Sequence, residues 1–562
     1  MNEKRTLSST DDLPAKRRFR ADVLDLTINA DISGQRAARL LQNASLAGTE
    51  NIADLATVPI GKNSARDLIR KCFRNTKWPD TYELQVPALN PATDATQLMT
   101  LSILLPHELL SAVLKVNKME QLMTNQQAAL AHRPDLQDHL ARAAQLLDVD
   151  PSNTVIAGIW VDSVPFNSDR SQSLETVSLS LVGEGTLRFP ITAFPKAFLK
   201  SKETYEEIWR VMAWSFRAAL CGLNPSARHD GSAFLPSDRY RRKLQGRTIP
   251  VMILGEVRGD WAMYKDILDF PSWSAAGYIC WRCNITRAQM KDFTSEAHFK
   301  REALTSMGFL VRQRAEGKMI SAIFSIPLFG PQNCKIDFLH VCDLGTTSDF
   351  LGSLLYFLME FVVSGNSRRE KCVTLFREID AFYRANNSEN RLPKLVPTML
   401  RAELHGKLKS PKLRAKAGEA RVLVPCAVQL AEKFLDTSVP AQNTMIHACH
   451  RLNSMYSCLS EHHWLPERFQ QASREFLLLM SGLESHFEDL KLFRIKPKAH
   501  LLMELAVDDV NPSKHWTYRD ESFGHSLALL ARRRGGQFSM KAVSNAVLKR
   551  FLAGNQLLRL DE

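Results

Sequence analysis

Two aspartates occupy positions that active-site carboxylates favour in α/β folds. Asp162 lies within an apolar strand pattern, Ile159-WVDSVP, and Asp260 follows a second strand pattern in Glu256-VRGDW. Ligands and catalytic groups gather at strand ends in such folds, and a buried acid is costly unless it is paired or binds a metal. Two other interpretations stay open: Asp162 as a hydrogen-bonded turn residue, and Asp260 as the N-cap of the following helix.

A third acidic residue, Glu521, begins the helical pattern Glu521-SFGHSLALLARRR. Helix N-termini favour acidic residues because of the helix dipole, so Glu521 alone indicates no function. Three carboxylates together could hold two divalent cations through oxygen ligands. Such a pair, about 3.5–4 Å apart, activates a water and stabilises the leaving oxygen in phosphodiester cleavage. Mg²⁺ or Mn²⁺ is therefore the expected cofactor of a site formed by Asp162, Asp260 and Glu521.

A CxxC pair, Cys280 and Cys283, follows Asp260 by twenty residues. Such a pair is half of a zinc site. The other half could be His340 and Cys342, although the gap of 57 residues before His340 is far longer than in a compact finger. The alternative is a pair of reduced thiols in a packed corner. A second group on helical sequence fits no known zinc ligand set: His447, Cys449, His450, Cys458, His462 and His463.

Positive charge is in excess and lies in runs. Lys and Arg number 73 against 60 Asp and Glu, which leaves a net charge of +13 and suggests a polyanionic partner. Lysines and arginines in such runs could neutralise phosphates, although each run could equally be a solvated surface. The candidate nucleic-acid contacts are Arg239, Arg241, Arg242, Lys243, Lys407, Lys409, Lys412, Arg414, Arg532, Arg533 and Arg534.

The elements that would position these residues change character near Asn153. Before it the pattern is mostly helical, including apolar spacing from Leu101 to Leu147. After it come three meandering strand patterns, an amphipathic helix with Thr204 as its expected N-cap, a fourth strand and a further helix. The predicted order is β-β-β-α-β-α, and from about 348 to 492 the pattern is again helical. The strand patterns begin at Val155, Leu174, Leu187 and Ile249.

Length and composition exclude several classes of protein. With 562 residues, 45% hydrophobic and 24% charged, the chain is ordinary globular sequence too long for one core. Ten cysteines without a regular framework argue against a disulfide-stapled secreted protein. No apolar signal segment is visible, and the longest apolar stretch, 350–363, contains Glu360 and is too short for a bilayer. We expect a soluble intracellular protein without a membrane partner.

Several sequence blocks resemble those of CACTA and Plavaka-type DDE transposases. The block from Glu256 to the CxxC resembles the one in which the second catalytic Asp precedes a helix and a CxxC. Asp337-FLHVCDLGTTSDFLG resembles their downstream block, where a His is followed by Leu-Gly and a helix. Lys496-PKAHLL and Trp516-TYRDESFGHSLALLARRR resemble the terminal blocks, in which a Glu opens the last helix, and Ile159-WVDSVPFNSDR resembles the first block.

This resemblance runs over residues 153–536 in four or five islands. It implies an α+β or α/β fold: an RNase H-like mixed sheet, β-β-β-α-β-α, interrupted by a large α-helical insertion. The family's catalytic acids fall on Asp162, Asp260 and Glu521, and its cysteine and histidine positions on Cys280, Cys283 and His340. The N-terminal 150 residues depart from the longer family members, because they hold one cysteine, Cys72, and no finger spacing.

The predicted organisation has six segments. The first carries a basic cluster, Lys16, Arg17, Arg18 and Arg20, which could be a nuclear-import signal, a nucleic-acid contact or a solvated tail. The segments are a disordered basic tail (1–21), an N-terminal helical region (22–150), the first part of the core (151–347), the helical insertion (348–492), the core's terminal catalytic helix (493–536) and a C-terminal basic helix (537–562).

Three functions are compatible with these observations. The resemblance implies a nuclear DDE-type transposase, or a protein derived from one, that cuts DNA and joins 3′-hydroxyls with Mg²⁺. Its partners would be transposon ends, target DNA and, in a homo-oligomer, further copies of the chain. The alternative is a catalytically inactive, domesticated DNA-binding protein that retains the fold. A third class, an RNA- or protein-binding scaffold built on the insertion, has no RNA-recognition aromatic motif to support it.

Overall fold

The computed structural model describes most of the chain: residues 15–28, 32–49, 52–74, 78–115, 117–167, 169–183, 185, 187–294, 303–401, 403–404, 407–532 and 538–554. Residues 1–14 of the predicted disordered tail lie outside these ranges. The prediction of disorder is wrong for residues 15–21, which form the first half of a helix. Among the described residues, no helix combines the length and the apolarity needed to cross a bilayer.

The N-terminal region contains a β-hairpin among its helices. Two strands pair antiparallel, from Tyr82 opposite Ile103 to Leu89 opposite Thr96. The helix predicted from Leu101 is therefore wrong over residues 101–103, and helix begins only at Pro106, a residue suited to a first helical position. The elements are α1 (Ala15–Ile28), α2 (Gly34–Leu46), α3 (Ala53–Ala56), α4 (Ser64–Arg74), β1 (Tyr82–Leu89), β2 (Thr96–Ile103), α5 (Pro106–Val113), α6 (Met119–Leu130) and α7 (Pro134–Leu147).

A five-stranded mixed sheet forms the centre of an α+β fold. The order across the sheet is β5-β4-β3-β6-β7; β3, β4 and β5 are antiparallel neighbours, and β6 and β7 run parallel to β3. The predicted strand order is confirmed for the first four strands, whereas the two-residue β7 was not predicted. The strands are β3 (Thr154–Pro165), β4 (Ser173–Leu181), β5 (Arg188–Pro195), β6 (Val251–Arg258) and β7 (Cys334–Lys335).

Both faces of this sheet are covered, as the continuous β-branched and apolar run of β3 predicts. On one face α8 (Ser201–Leu220) packs, and its Tyr205 donates a hydrogen bond to Glu175 of β4 at 2.6 Å. Thr204 is not the N-cap of α8, because the helix begins three residues earlier and Lys200 precedes it. The opposite face carries α19 (Tyr518–Arg532), the helix that contains Glu521.

The remaining helices surround the sheet and build the insertion. Buried apolar side chains of the sheet, α8 and the insertion form one continuous core. The C-terminal helix α20 returns to the N-terminal hairpin, where the Ser544 hydroxyl accepts from the Ser102 N–H at 3.1 Å. These elements are α9 (Arg239–Leu244), α10 (Trp261–Leu268), α11 (Ser306–Ala315), a π-helical segment (Leu339–Thr346), α12 (Thr347–Phe357), a second π-helical segment (Leu358–Val362), α13 (Arg368–Ala385), α14 (Pro397–Leu400), β8 (Glu403–Leu404), β9 (Lys407–Leu408), α15 (Ala417–Phe434), α16 (Pro440–Ser457), α17 (Pro466–His486), α18 (Lys498–Val507) and α20 (Met540–Gly554).

Candidate active site

Adjacent parallel strands place Asp162 and Asp260 side by side. Trp160 of β3 lies opposite Arg258 of β6, and each aspartate stands two residues further along its own strand direction. Asp260 is also the N-cap of α10, where its side chain accepts the Met263 N–H at 2.6 Å. Because parallel strands end at a common edge, the two carboxylates meet there.

The third carboxylate arrives on α19, which approaches β3 at a glycine. A Cβ added to Gly524 would lie 2.6 Å from Trp160 Cη2 and 2.8 Å from Val164 Cγ2, so only glycine allows this approach. Trp160, Asp162 and Val164 share one face of β3 because side chains alternate along a strand. Glu521 precedes Gly524 by one helical turn and therefore faces Asp162.

Two hydrogen bonds and two ion pairs, all buried, hold the start of α19. Asp337 accepts from the Thr517 backbone N–H at 3.0 Å and from its hydroxyl at 2.8 Å. Asp520 is fully buried between two arginines, with Arg188 Nε at 2.6 Å and Arg258 Nη1 at 2.9 Å. Because Asp520 precedes Glu521 directly, these ion pairs fix the rotation of the helix that presents Glu521.

The helical insertion is also joined to α19, through hydrogen bonds and an ion pair made by Asp343. The Asp343 carboxylate accepts from Tyr518 of α19 at 2.7 Å and from Tyr456 of α16 at 2.6 Å, and it pairs with Arg421 of α15 at 3.2 Å. The Arg421 guanidinium lies 4.3 Å from the Trp516 ring centroid. Arg421 therefore joins the insertion to the core.

The electrostatics show that the three carboxylates repel one another. Burial raises the pKa of Asp162 well above its usual range, and the charges of Glu521 and Asp260 raise it further. Burial likewise raises the pKa of Glu521 to about 7, with the charges of Asp337 and Asp260 adding to it against a hydrogen bond with Asp162. A cation among them would relieve this repulsion.

His340 lies at the carboxylates and not at the CxxC. Its Nδ1 atom is 2.6 Å from Asp337 Oδ2, and its Nε2 atom is 3.8 Å from Glu521 Oε1. Burial lowers the pKa of His340, but the hydrogen bond and charge of Asp337 outweigh it, and the net shift is upward. His340 also lines a small pocket together with Asp260, Asp337 and Lys498. The predicted zinc role of His340 is therefore wrong.

The CxxC pair contacts two side chains of helix α18. Cys280, Cys283, His500 and Glu504 bring four ligand atoms within 4.8 Å of one another, and this cluster could hold a metal ion. The Cys283 Sγ–His500 Nε2, Cys280 Sγ–Glu504 Oε1 and His500 Nε2–Glu504 Oε1 distances are 3.4, 3.7 and 3.1 Å. Cys342, the other predicted ligand, is buried. Burial raises the pKa of its thiol, and the charge of Asp343 raises it further.

Cys280 and Glu504 favour their anionic forms beside His500: burial lowers the pKa of His500, but the charges and hydrogen bonds of Cys280 and Glu504 outweigh it and raise that pKa to about 10. Burial raises the pKa of Cys280, but the Cys283 hydrogen bond and the charge of His500 reverse the shift and lower it to about 6. Burial raises the pKa of Glu504, but the hydrogen bond and charge of His500 outweigh it and lower that pKa to about 2. The Arg282 N–H donates to Cys280 Sγ at 3.2 Å, which fixes the turn between the cysteines.

The predicted nucleic-acid contacts divide into three groups. Arg241 is buried and pairs with Glu108 at 2.7 Å and Asp238 at 2.9 Å, so its predicted surface role is wrong. The side chain of Lys407 and residues Arg533 and Arg534 lie outside the described residues. The others are exposed: Arg239, Arg242, Lys243, Lys409, Lys412, Arg414 and Arg532.

Comparison with known proteins adds no relative. No protein-family model matches the chain, and no curated protein matches it. The geometry of the carboxylates and of the Cys-His-Glu cluster is therefore the basis for a functional assignment.

Proposed function

We propose that this protein is a DDE-type transposase, or is derived from one, and that it binds DNA and cleaves and joins strands by divalent-cation-dependent transesterification. The observation that carries the proposal is the meeting of Asp162, Asp260 and Glu521 at one edge of the sheet. Three antiparallel strands followed by two parallel ones also have the order and direction expected of an RNase H-like core.

The carboxylates fit Mg²⁺ or Mn²⁺. Glu521 Oε1 is buried and accepts no hydrogen bond from the described residues, as suits an oxygen that binds a cation. Asp162, Asp260 and Glu521 would hold the metal, which supplies Lewis-acid stabilisation of the attacking and leaving oxygens of the phosphodiester. Asp337 orients His340, whose Nε2 edge borders the place where that phosphodiester would bind.

Plasmid nicking tests this assignment. Purified protein should nick supercoiled DNA with Mg²⁺ or Mn²⁺, and Asp162→Asn, Asp260→Asn and Glu521→Gln should each lower the rate by at least about 100-fold, since each removes a metal ligand. Asp266→Asn, an exposed acid on α10 that pairs with Lys265, is the matched control. Activity that survives all three substitutions would refute the site. Metal-independent DNA binding without any nicking would favour the inactive, domesticated alternative.

The second metal in this proposal is Zn²⁺ at Cys280, Cys283, His500 and Glu504. With zinc–sulfur bonds of about 2.3 Å and zinc–nitrogen or zinc–oxygen bonds of about 2.0–2.2 Å, tetrahedral ligand atoms stand about 3.3–3.8 Å apart. The Cys283 Sγ–His500 Nε2 and Cys280 Sγ–Glu504 Oε1 distances, 3.4 and 3.7 Å, lie within that range, and the His500 Nε2–Glu504 Oε1 distance of 3.1 Å is slightly shorter. The role is structural, because all four positions come from the protein.

Metal analysis of the purified protein tests the zinc assignment. We expect about one zinc per chain in the wild type and its loss in Cys283→Ser and in Glu504→Gln. Cys334→Ser removes a buried cysteine outside the cluster and should keep the zinc. Wild-type protein without zinc, or equal zinc in all four proteins, would contradict the assignment.

A further inference from the structure

Three lysines gather beside the carboxylates, on the side of the insertion. We call Lys412, Lys496 and Lys498 the lysine cluster. Asp349 lies among them, since all three lysine charges oppose the burial that raises its pKa. Lys496 Nζ is 2.6 Å from Asp349 Oδ1. One buried carboxylate, Asp349, thus faces three ammonium groups.

Two of the three lysines lack an anionic partner. Lys498 Nζ donates to the His340 carbonyl at 2.7 Å, and Lys412 Nζ donates to the Leu344 carbonyl at 2.7 Å. Within the described part of the chain, no carboxylate lies at ion-pair distance from either. An ammonium group has three donors, so each keeps donors for a further acceptor.

Close backbone packing fixes the positions of these lysines. A Cβ added to Gly352 of α12 would lie 2.5 Å from the Lys412 Cα, so the chain at Lys412 is pressed against that helix. A Cβ added to Gly345 would lie 2.9 Å from Lys498 Cδ, so the π-helical segment leaves room for that side chain. The fold therefore holds the backbone at Lys412 and the side chain of Lys498, and the ion pair with Asp349 holds Lys496.

The cluster borders the proposed active site. Lys498 lines the same pocket as Asp260 and His340, and the charges of Asp260 and Asp337 act on its ammonium group. A DNA strand that crosses the carboxylates carries further phosphates on both sides of the one being cut. An ammonium cluster at this border matches such a flanking phosphate in charge and in donors.

We propose that Lys412, Lys496 and Lys498 bind a backbone phosphate of the DNA strand next to the phosphodiester held at the carboxylates. This inference rests on the proposed function and adds the residues that hold the substrate. Lys412 belongs to the insertion, whereas Lys496 and Lys498 follow it in sequence. The bound strand would therefore contact the insertion and the core together. The contact reads charge and not base identity.

Salt-dependent DNA binding tests the cluster. Fluorescence anisotropy of a labelled duplex of arbitrary sequence, without divalent cations, gives the affinity independently of any metal at the carboxylates. The triple substitution Lys412→Gln, Lys496→Gln and Lys498→Gln should weaken binding at least about fivefold. It should also reduce the slope of log K against log salt by about 1, because one phosphate contact is lost.

A second triple variant provides the matched control. Lys291→Gln, Lys433→Gln and Lys541→Gln remove the same charge from exposed lysines that form ion pairs elsewhere and should leave the slope unchanged. Wild-type affinity in the cluster variant, or a loss equal to that of the control, would overturn the proposal. If the cluster variant melts early, the triple Lys→Arg variant decides: retained affinity supports a phosphate contact, and lost affinity with normal melting refutes it.

The outcomes of the nicking experiment and of the DNA-binding experiment are independent of each other. Absence of nicking refutes the proposed reaction but leaves a salt-dependent loss in the cluster variant standing. Nicking that depends on the carboxylates, with no binding loss in the cluster variant, refutes only the lysine cluster.

Discussion

Glu521→Gln should stabilise the metal-free protein at alkaline pH. Burial and neighbouring carboxylates raise the pKa of Glu521 from 4.5 to about 7. At about 1.4 kcal/mol per pKa unit, ionising it would cost the fold at most about 3.4 kcal/mol. The side chain is 33% exposed, so solvent screening reduces this cost to about 1–2 kcal/mol.

The sign of the pH dependence follows from the raised pKa. The folded chain holds the Glu521 proton more tightly than the unfolded chain, so this stabilisation is complete below about pH 4.5 and is lost as the pH rises through about 7. Glutamine carries no charge at any pH. The variant should therefore melt about 1–2 °C above the wild type at pH 8 and close to it at pH 5.

Thermal melts followed by tryptophan fluorescence, in buffer freed of divalent cations, measure this difference. Glu120→Gln, an exposed first-turn acid of α6, is the control and should change nothing at either pH. Adding Mn²⁺ should raise the melting temperature of the wild type more than that of Glu521→Gln, because binding to the folded state stabilises it. A variant no more stable than the wild type at pH 8, or equally stabilised at pH 5, would refute the argument.

Other substitutions test how α19 is held. Gly524→Ala puts a methyl group against Trp160, so it should cost about 1–3 kcal/mol in urea unfolding and slow nicking; full stability would argue against the close approach. Asp520→Asn leaves two buried arginines without their carboxylate and should cost about 3–5 kcal/mol, whereas Arg519→Gln, its exposed neighbour, should cost under about 0.5. Arg421→Met should raise the Mn²⁺ concentration needed for half-maximal nicking. An unchanged metal dependence would show that the insertion does not support the carboxylate site.

The sequence predicts the central sheet well because its signals are local. The apolar strand patterns that begin at Val155, Leu174 and Leu187 each lie within one short stretch of sequence, and they correspond to β3, β4 and β5. The two-residue β7 lacks any such run, because tertiary pairing with β6 alone defines it. The helix prediction was wrong over residues 101–103 because apolar residues there are compatible both with the end of a strand and with the helix that follows.

The second half of the Cys cluster was missed for a different reason. His500 and Glu504 stand four apart on α18, a spacing that brings both side chains to one helical face. They lie more than two hundred residues from the CxxC, so only the fold joins them. The ion pairs of Arg241 and Arg421 with buried carboxylates were hidden likewise, because a basic run looks the same whether its members face water or a buried carboxylate.

The long separation of Asp162 and Glu521 in the sequence has a consequence for biosynthesis. During translation at about 5–20 residues per second, the 359 positions between Asp162 and Glu521 take about 20–70 s to make. Throughout that interval a nascent chain can form β3 and β6 but lacks α19. The proposed chemistry therefore becomes possible only after α19, which carries Glu521, has been synthesised.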